Sequence, residues 1–230
     1  SRPLTRWSVL WSVLALPAAL QRWISAFSRR LQHLGWQVCL LLRFEVGEGL
    51  QFVEKTAWIP ALDVDYFVGL DGTNALVLLL AALLAPLVVL ASWKHTDRPR
   101  TYFALLCLQF TGLFGTFTAL NFFHWFLYWE LALVPAFFLI KIFGSGKDRH
   151  RAALNFFLFT VLGSVAMLLG FLFLYQQTET FDFISLAKSG VDVHPLIFCA
   201  IVAGLWVKVP LAPLHIWQAP AYAAAPAPVA

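Results

Sequence analysis

Between Thr101 and Ile140 the chain runs for 40 residues with one formal charge, Glu130. Thr73–Trp93 and Ala152–Thr178 carry no charge, and Val193–Ala230 carries one, Lys208. A helix that crosses the hydrocarbon core of a bilayer needs about 20 apolar residues. In lipid every backbone N–H and C=O must be bonded within the protein, so only helices and closed barrels span. Barrel strands alternate in polarity, and Ala75–Leu84 does not. The runs therefore predict an all-α fold, a polytopic transmembrane helix bundle. Five spans fall at about 71–93, 102–120, 123–143, 152–176 and 195–217, the last broken by proline. Val9–Leu20, which contains Pro17, and Leu31–Leu42 are short apolar stretches that give one or two further helices, crossing or lying at the interface.

Composition agrees. The chain is 60% hydrophobic and 12% charged, against about 25% charged in soluble domains. This excludes a disordered chain, a disulfide scaffold and an ordinary soluble enzyme. No phosphate loop, nucleotide fingerprint, metal-ligand cluster or nucleophile elbow is present in the sequence. The net charge of +4 comes from basic residues beside apolar runs, which is membrane anchoring rather than nucleic-acid binding. Trp7–Leu20 has some features of a signal peptide, but Arg22, Arg29 and Arg30 follow it without a small-residue cleavage site. Cys39, Cys107 and Cys199 are far apart in apolar stretches and are expected to be buried small side chains. Trp58, Trp93 and Trp217 are expected in an aromatic belt at the membrane boundaries.

Three parts follow: an N-terminal segment (1–70) with an acidic, solvated loop, a transmembrane bundle (71–217), and an Ala/Pro-rich tail (218–230) in which no regular helix is expected. The loops at 94–100 and 141–151 are basic; those at 43–71 and 177–194 are acidic. The span count puts the two basic loops on one side and the two acidic loops on the other. The positive-inside rule makes the basic side cytoplasmic, in an integral membrane protein of a bacterial inner membrane.

Glu130 and Lys208 then remain inside apolar spans, each in the middle third of its expected helix. An ionised side chain there costs at least about 2.5–3.5 kcal/mol. Low dielectric disfavours the charged form of either group, and an opposite charge nearby restores it. A carboxyl and an amine in this setting can relay protons; the bland reading is a static ion pair between helices. Lys208 is followed by Pro210 and Pro213, which cannot both sit in an unbroken helix. Broken membrane helices commonly mark ion paths. His215 can relay protons near neutral pH or sit at the interface beside Trp217. His124, near a helix start, is expected at the interface, and His33, His95, His150 and His194 are expected to flank loops without a special role.

At these residues a family becomes visible. KVPLAPLHIW (Lys208–Trp217) resembles the Lys-x-Pro-x-x-Pro-x-His-x-Trp signature of the antiporter-like subunits of respiratory complex I. FLYWELALVPAFFLI (Phe126–Ile140) resembles their glutamate-bearing helix. QFVEKTAWIP (Gln51–Pro60), YFVGLDG (Tyr66–Gly72) and Ser92–Trp93 resemble the chain M, or subunit 4, type. The resemblance implies a proton-translocating membrane-arm subunit of an NADH:quinone oxidoreductase, with Glu130 and Lys208 as its coupling pair. It implies no cofactor in this chain. NADH, flavin, iron–sulfur clusters and quinone would belong to partner subunits. Its partners would be other membrane-arm subunits and the lipid bilayer, not nucleic acid. The alternatives are a subunit of a multisubunit cation/proton antiporter or hydrogenase-type complex, or a non-transporting scaffold. Where the family reads Leu-Pro-Asp-Ala-His this chain has Gln218-Ala219-Pro220-Ala221-Tyr222, and family chains are about twice as long. The expectation is a truncated, split or diverged form that does not pump protons alone.

Overall fold

The computed structural model describes residues 44, 45, 47, 49–60, 64–95 and 97–230. The stretches Val9–Leu20 and Leu31–Leu42, with His33 and Cys39, lie outside them. All elements named below belong to the compact unit Val46–Ala230. In chain order they are β1 (Gln51–Ile59), β2 (Val64–Leu70), α1 (Gly72–Ala91), α2 (Pro99–Thr118), α3 (Phe122–Leu131), α4 (Leu133–Phe143), α5 (Arg149–Thr178), α6 (Phe183–Ser189), α7 (Pro195–Lys208) and α8 (Gln218–Ala224).

Among the described residues four helical stretches are long and apolar enough to cross a membrane: Gly72–Ala91, Pro99–Thr118, Phe122–Phe143 and Arg149–Thr178. The protein is thus a polytopic membrane helix bundle. Local chemistry sets the helix starts. The Asp71 carboxylate accepts from the Thr73 and Asn74 amides, and the Asn74 side chain accepts from the Asp71 N–H, a reciprocal cap. Pro99 opens α2 at a position where its missing N–H costs nothing. Asn121 caps α3 by accepting from the Phe123 amide at 3.0 Å.

Three expectations need correction. The fifth span, drawn to 217, ends as a helix at Lys208 after 14 residues, about 21 Å. Pro210 has no N–H to continue the ladder, and the residue before a proline avoids the helical region. The acidic segment 43–71 is more than a solvated loop. It holds an antiparallel two-stranded sheet, with Glu54 opposite Val68 and Thr56 opposite Tyr66. Its Val, Ile, Thr, Tyr and Phe residues are the types that favour strands. The tail contains α8, because Pro220 falls in the first turn, where a missing N–H is tolerated. Ala221 and Ala224 bury their small side chains there against Ala152, Ala153 and Ile140.

The loops sort into two ends. At one, Leu120 N–H bonds Phe67 O at 2.8 Å, Phe122 N–H bonds Phe181 O at 2.8 Å and Phe183 N–H bonds Leu120 O at 3.0 Å. These bonds tie β2, the α2–α3 turn and the start of α6 together over Val64, Phe122 and Phe181. Lys55 pairs with Asp65 at 3.2 Å and with Asp182 at 3.0 Å, joining both acidic segments. At the other end His95 stacks on Tyr102 and meets Phe143 edge-on, linking the two basic loops.

Outward faces are apolar. On α1, Leu76, Leu80, Leu83, Leu87 and Leu90 are exposed while Ala75, Ala81, Ala82 and Ala85 are buried. An apolar exterior of this extent suits lipid or a partner helix, not water. Helices α5 and α7 approach each other closely. A Cβ on Gly204 would lie 2.5 Å from Gly163 O, and one on Gly163 would lie 2.8 Å from Val207 Cβ. Glycine lets the backbones approach this closely.

Candidate functional site

Pro135 removes the N–H that would continue the ladder from Leu131, and the helix is interrupted at Ala132, between α3 and α4. Tyr128 O still accepts from the Ala132 amide at 3.1 Å, and the carbonyls that follow it, up to Leu131, fall at the interruption. Trp129 carries one of them. The Lys208 ammonium donates to Trp129 O at 2.7 Å, and Nζ lies 4.2 Å from the centroid of the Trp129 ring. Glu130, next in sequence, turns to α5, where Ser164 Oγ donates to its Oε1 at 2.6 Å. Gly163 against Val207 brings Ser164 and Lys208 to the same level of the helix pair.

Lys208 is therefore the last residue of α7, a correction to its expected mid-helix position. A helix C-terminus favours a cation, and α3 ends beside the same ammonium. Glu130 sits in the last turn of α3, where that dipole disfavours a carboxylate, and the Ser164 hydroxyl offsets it. The two charges share a neighbourhood without direct contact. Among the described residues the ion pairs are Lys55 with Asp65 and Asp182, and Arg98 with Asp97; Glu130 and Lys208 are not joined. Both are half-buried, and Ser164 is buried.

Pro210 and Pro213 lie in the non-helical stretch Val209–Trp217 between α7 and α8. His215 lies there too, exposed. Trp217 is buried. Its indole N–H donates to Val207 O at 3.0 Å, and its ring packs on Phe156. The unwound stretch is thereby folded back on the end of α7, which its sequence did not reveal.

Other side chains also depart from expectation. His124 is buried, 3% exposed, among the rings of Trp58, Tyr66 and Tyr128, because the hairpin covers the start of α3. His194 caps α7 by accepting from the Leu196 amide at 3.3 Å. Cys199 is exposed, and Cys107 is half-buried, since an apolar exterior leaves small side chains outside as readily as inside. Trp129 and Ser164 were missed from sequence. A hydroxyl beside a glycine in an uncharged run (Gly163-Ser164) was the available signal. Among the described residues no group of His, Cys, Asp and Glu could hold a metal ion.

The fold and the two half-buried charges define a class, membrane subunits with a discontinuous helix at an acid–base pair. Residues 119–230 match the family model described as NADH:quinone oxidoreductase/Mrp antiporter, transmembrane. The chain belongs to this family of antiporter-like membrane subunits. It is 35% identical over 213 residues to F(420)H(2) dehydrogenase subunit M of Methanosarcina mazei, covering 87% of this chain and 43% of that protein. It is 36% identical over 185 residues to an NAD(P)H-quinone oxidoreductase chain 4 of Nostoc, covering 77% of this chain and 34% of that protein. The chain thus spans less than half the length of these relatives. It superposes on a chain of respiratory complex I from Thermus thermophilus with TM-score 0.76 and 27% identity, covering 92% of this chain and 44% of that one. A chain of the Mrp complex from Dietzia, at TM-score 0.73 and 23% identity over 85% of this chain and 22% of that one, shares the fold.

Proposed function

We propose that the chain is a membrane-arm subunit of a redox-driven, proton-translocating NADH:quinone oxidoreductase, and that Glu130 and Lys208 are its coupling pair. One observation carries the reading: the two charges of the apolar spans meet at two helix interruptions, each held by a neutral partner. A pair of this kind exchanges protons when its separation changes, because each charge sets the protonation of the other. His215, on the stretch after α7, is the candidate next carrier. Partner subunits hold NADH, flavin, iron–sulfur clusters and quinone, and the basic loops at 94–100 and 141–151 face the cytoplasm of a bacterial inner membrane. Lys208→Ala in the assembled complex is expected to abolish proton pumping linked to quinone reduction. Full pumping by that variant would overturn the proposal.

A second reading rests on the equal likeness to the Methanosarcina mazei protein, an F(420)H(2) dehydrogenase subunit. That dehydrogenase is named for a different electron donor, F(420)H(2). Purification with its partners decides: flavin and iron–sulfur subunits that oxidise NADH support the first reading, and subunits that oxidise only another donor support the second. Sodium-dependent antiport without redox partners would overturn both.

A further inference from the structure

Lys208 and Glu130 are close but unpaired, and what holds each is specific. We infer that Trp129 and Ser164 are positioning residues that keep the pair open, Lys208 on the carbonyl and ring of Trp129 and Glu130 on the Ser164 hydroxyl. This rests on the proposed role of Glu130 and Lys208 as a proton-coupling pair. Two unlike charges in a low-dielectric interior attract strongly. An open arrangement persists only if other groups satisfy both ions. The ammonium has the Trp129 carbonyl at 2.7 Å, the Trp129 ring at 4.2 Å and two helix C-termini. The carboxylate has the hydroxyl at 2.6 Å.

The Trp129 indole N–H argues that its ring is there for the ammonium. It is buried with no hydrogen-bond partner among the described residues, which is costly. Packing alone would be served better by Phe or Leu. The Trp125 ring stacks on Trp129 at 4.6 Å and fixes its plane. Ser164 is 3% exposed, so its hydroxyl cannot turn to solvent and Glu130 is its partner. Closing the pair moves the ammonium from Trp129 O to the Glu130 carboxylate and exchanges hydrogen bonds only. The other formal charges of the surrounding helices are Arg100 at the start of α2, Lys141 at the end of α4, and Arg149 and Arg151 at the start of α5. Arg151 is 13 residues from Ser164, about 20 Å along the helix. Tyr128 turns to Gly115 on α2.

The test uses the assembled complex in vesicles and reads redox-linked proton pumping against pH. The ring favours the ammonium and the hydroxyl favours the carboxylate, so their loss moves the profile in opposite directions. Trp129→Leu, which leaves the backbone carbonyl in place, is expected to move it to lower pH by about one unit. Ser164→Ala is expected to move it to higher pH by a similar amount. Trp129→Phe retains part of the interaction and is expected to fall between Trp129→Leu and the parent. If Trp129→Leu does not assemble, Trp129→Phe carries that arm, and a parent-like profile for it overturns the role of the ring. If Ser164→Ala does not assemble, Ser164→Cys, a weaker donor, carries the other arm in the same way. Parent profiles in both arms, with pumping lost in Lys208→Ala, overturn the positioning roles and leave the pair standing. Full pumping by Lys208→Ala overturns the pair itself.

Discussion

Lys55 has the most connected charge at the hairpin end. Its ammonium donates to Asp182 at 3.0 Å, pairs with Asp65 at 3.2 Å and lies over the Phe67 ring. The Asp182 hydrogen bond, joined by Asp65, holds it above its ordinary value near 10.5 although partial burial opposes this. A raised value in the folded state means that the stabilisation is complete at neutral pH and is lost as pH rises through that value. Lys55 is 46% exposed, so solvent screening limits the contribution to about 0.2–1 kcal/mol. Lys55→Ala should speed amide exchange in β1 and β2 by up to about five-fold at pH 7, and the effect should shrink in about 1 M salt. Unchanged exchange would show that the ion pairs do not hold the hairpin. Asn121 is a sharper case, because it is 2% exposed and caps α3. Asn121→Ala should cost about 1 kcal/mol, read as a lower thermal midpoint in detergent. At this scale Glu130 and Lys208 were legible, since charges inside apolar runs are rare. Ser164 and Trp129 were not, because hydroxyls and indoles are common in membrane helices and only contact singles one out.

Among the elements, α7 shows how far local rules reach. Pro210 foretold an interruption, and the ladder does end just before it. That the chain then folds back, with Trp217 bonded to Val207 O, depended on the apolar cluster of Phe156, Ala152, Ala153 and Ala221 that α5 and α8 bring together. The contact of α5 with α7 rests on glycine. Gly204→Val would push side-chain carbon into Gly163 O and Met167 Cβ, both 2.5 Å from the new Cβ. It should cost about 1–3 kcal/mol and separate Ser164 from the level of Lys208. Cysteines placed on the facing sides of α5 and α7 should then crosslink more slowly. An unchanged crosslinking rate would mean that the glycines do not set this distance. The hairpin was harder to read, because its strands sit in an acidic segment whose charges suggested solvent. Pairing two short strands over Phe122 and Phe181 is a long-range event.

For the molecule as a whole, the alternation of basic and acidic loops fixes which segments share an end. The structure groups His95 with Phe143 at one end, and Phe67, Leu120 and Phe181 at the other. Orientation can be tested in a background in which Cys39, Cys107 and Cys199 are serine. Lys147→Cys should react with a membrane-impermeant thiol reagent from the cytoplasmic face only, and Val191→Cys from the opposite face only. The reverse pattern would overturn the orientation. By itself the sequence determined the solvent, the apolar runs, their loop signs, the helix-breaking prolines and the two charges within those runs. Those follow from the cost of charge and unbonded backbone in lipid, which is paid residue by residue. Only the tertiary structure decided that Lys208 bonds Trp129 and Glu130 bonds Ser164. The partners come from α3, α5 and α7, up to 79 residues apart in sequence, and a hydrogen bond depends on ångström-scale placement that no linear pattern encodes.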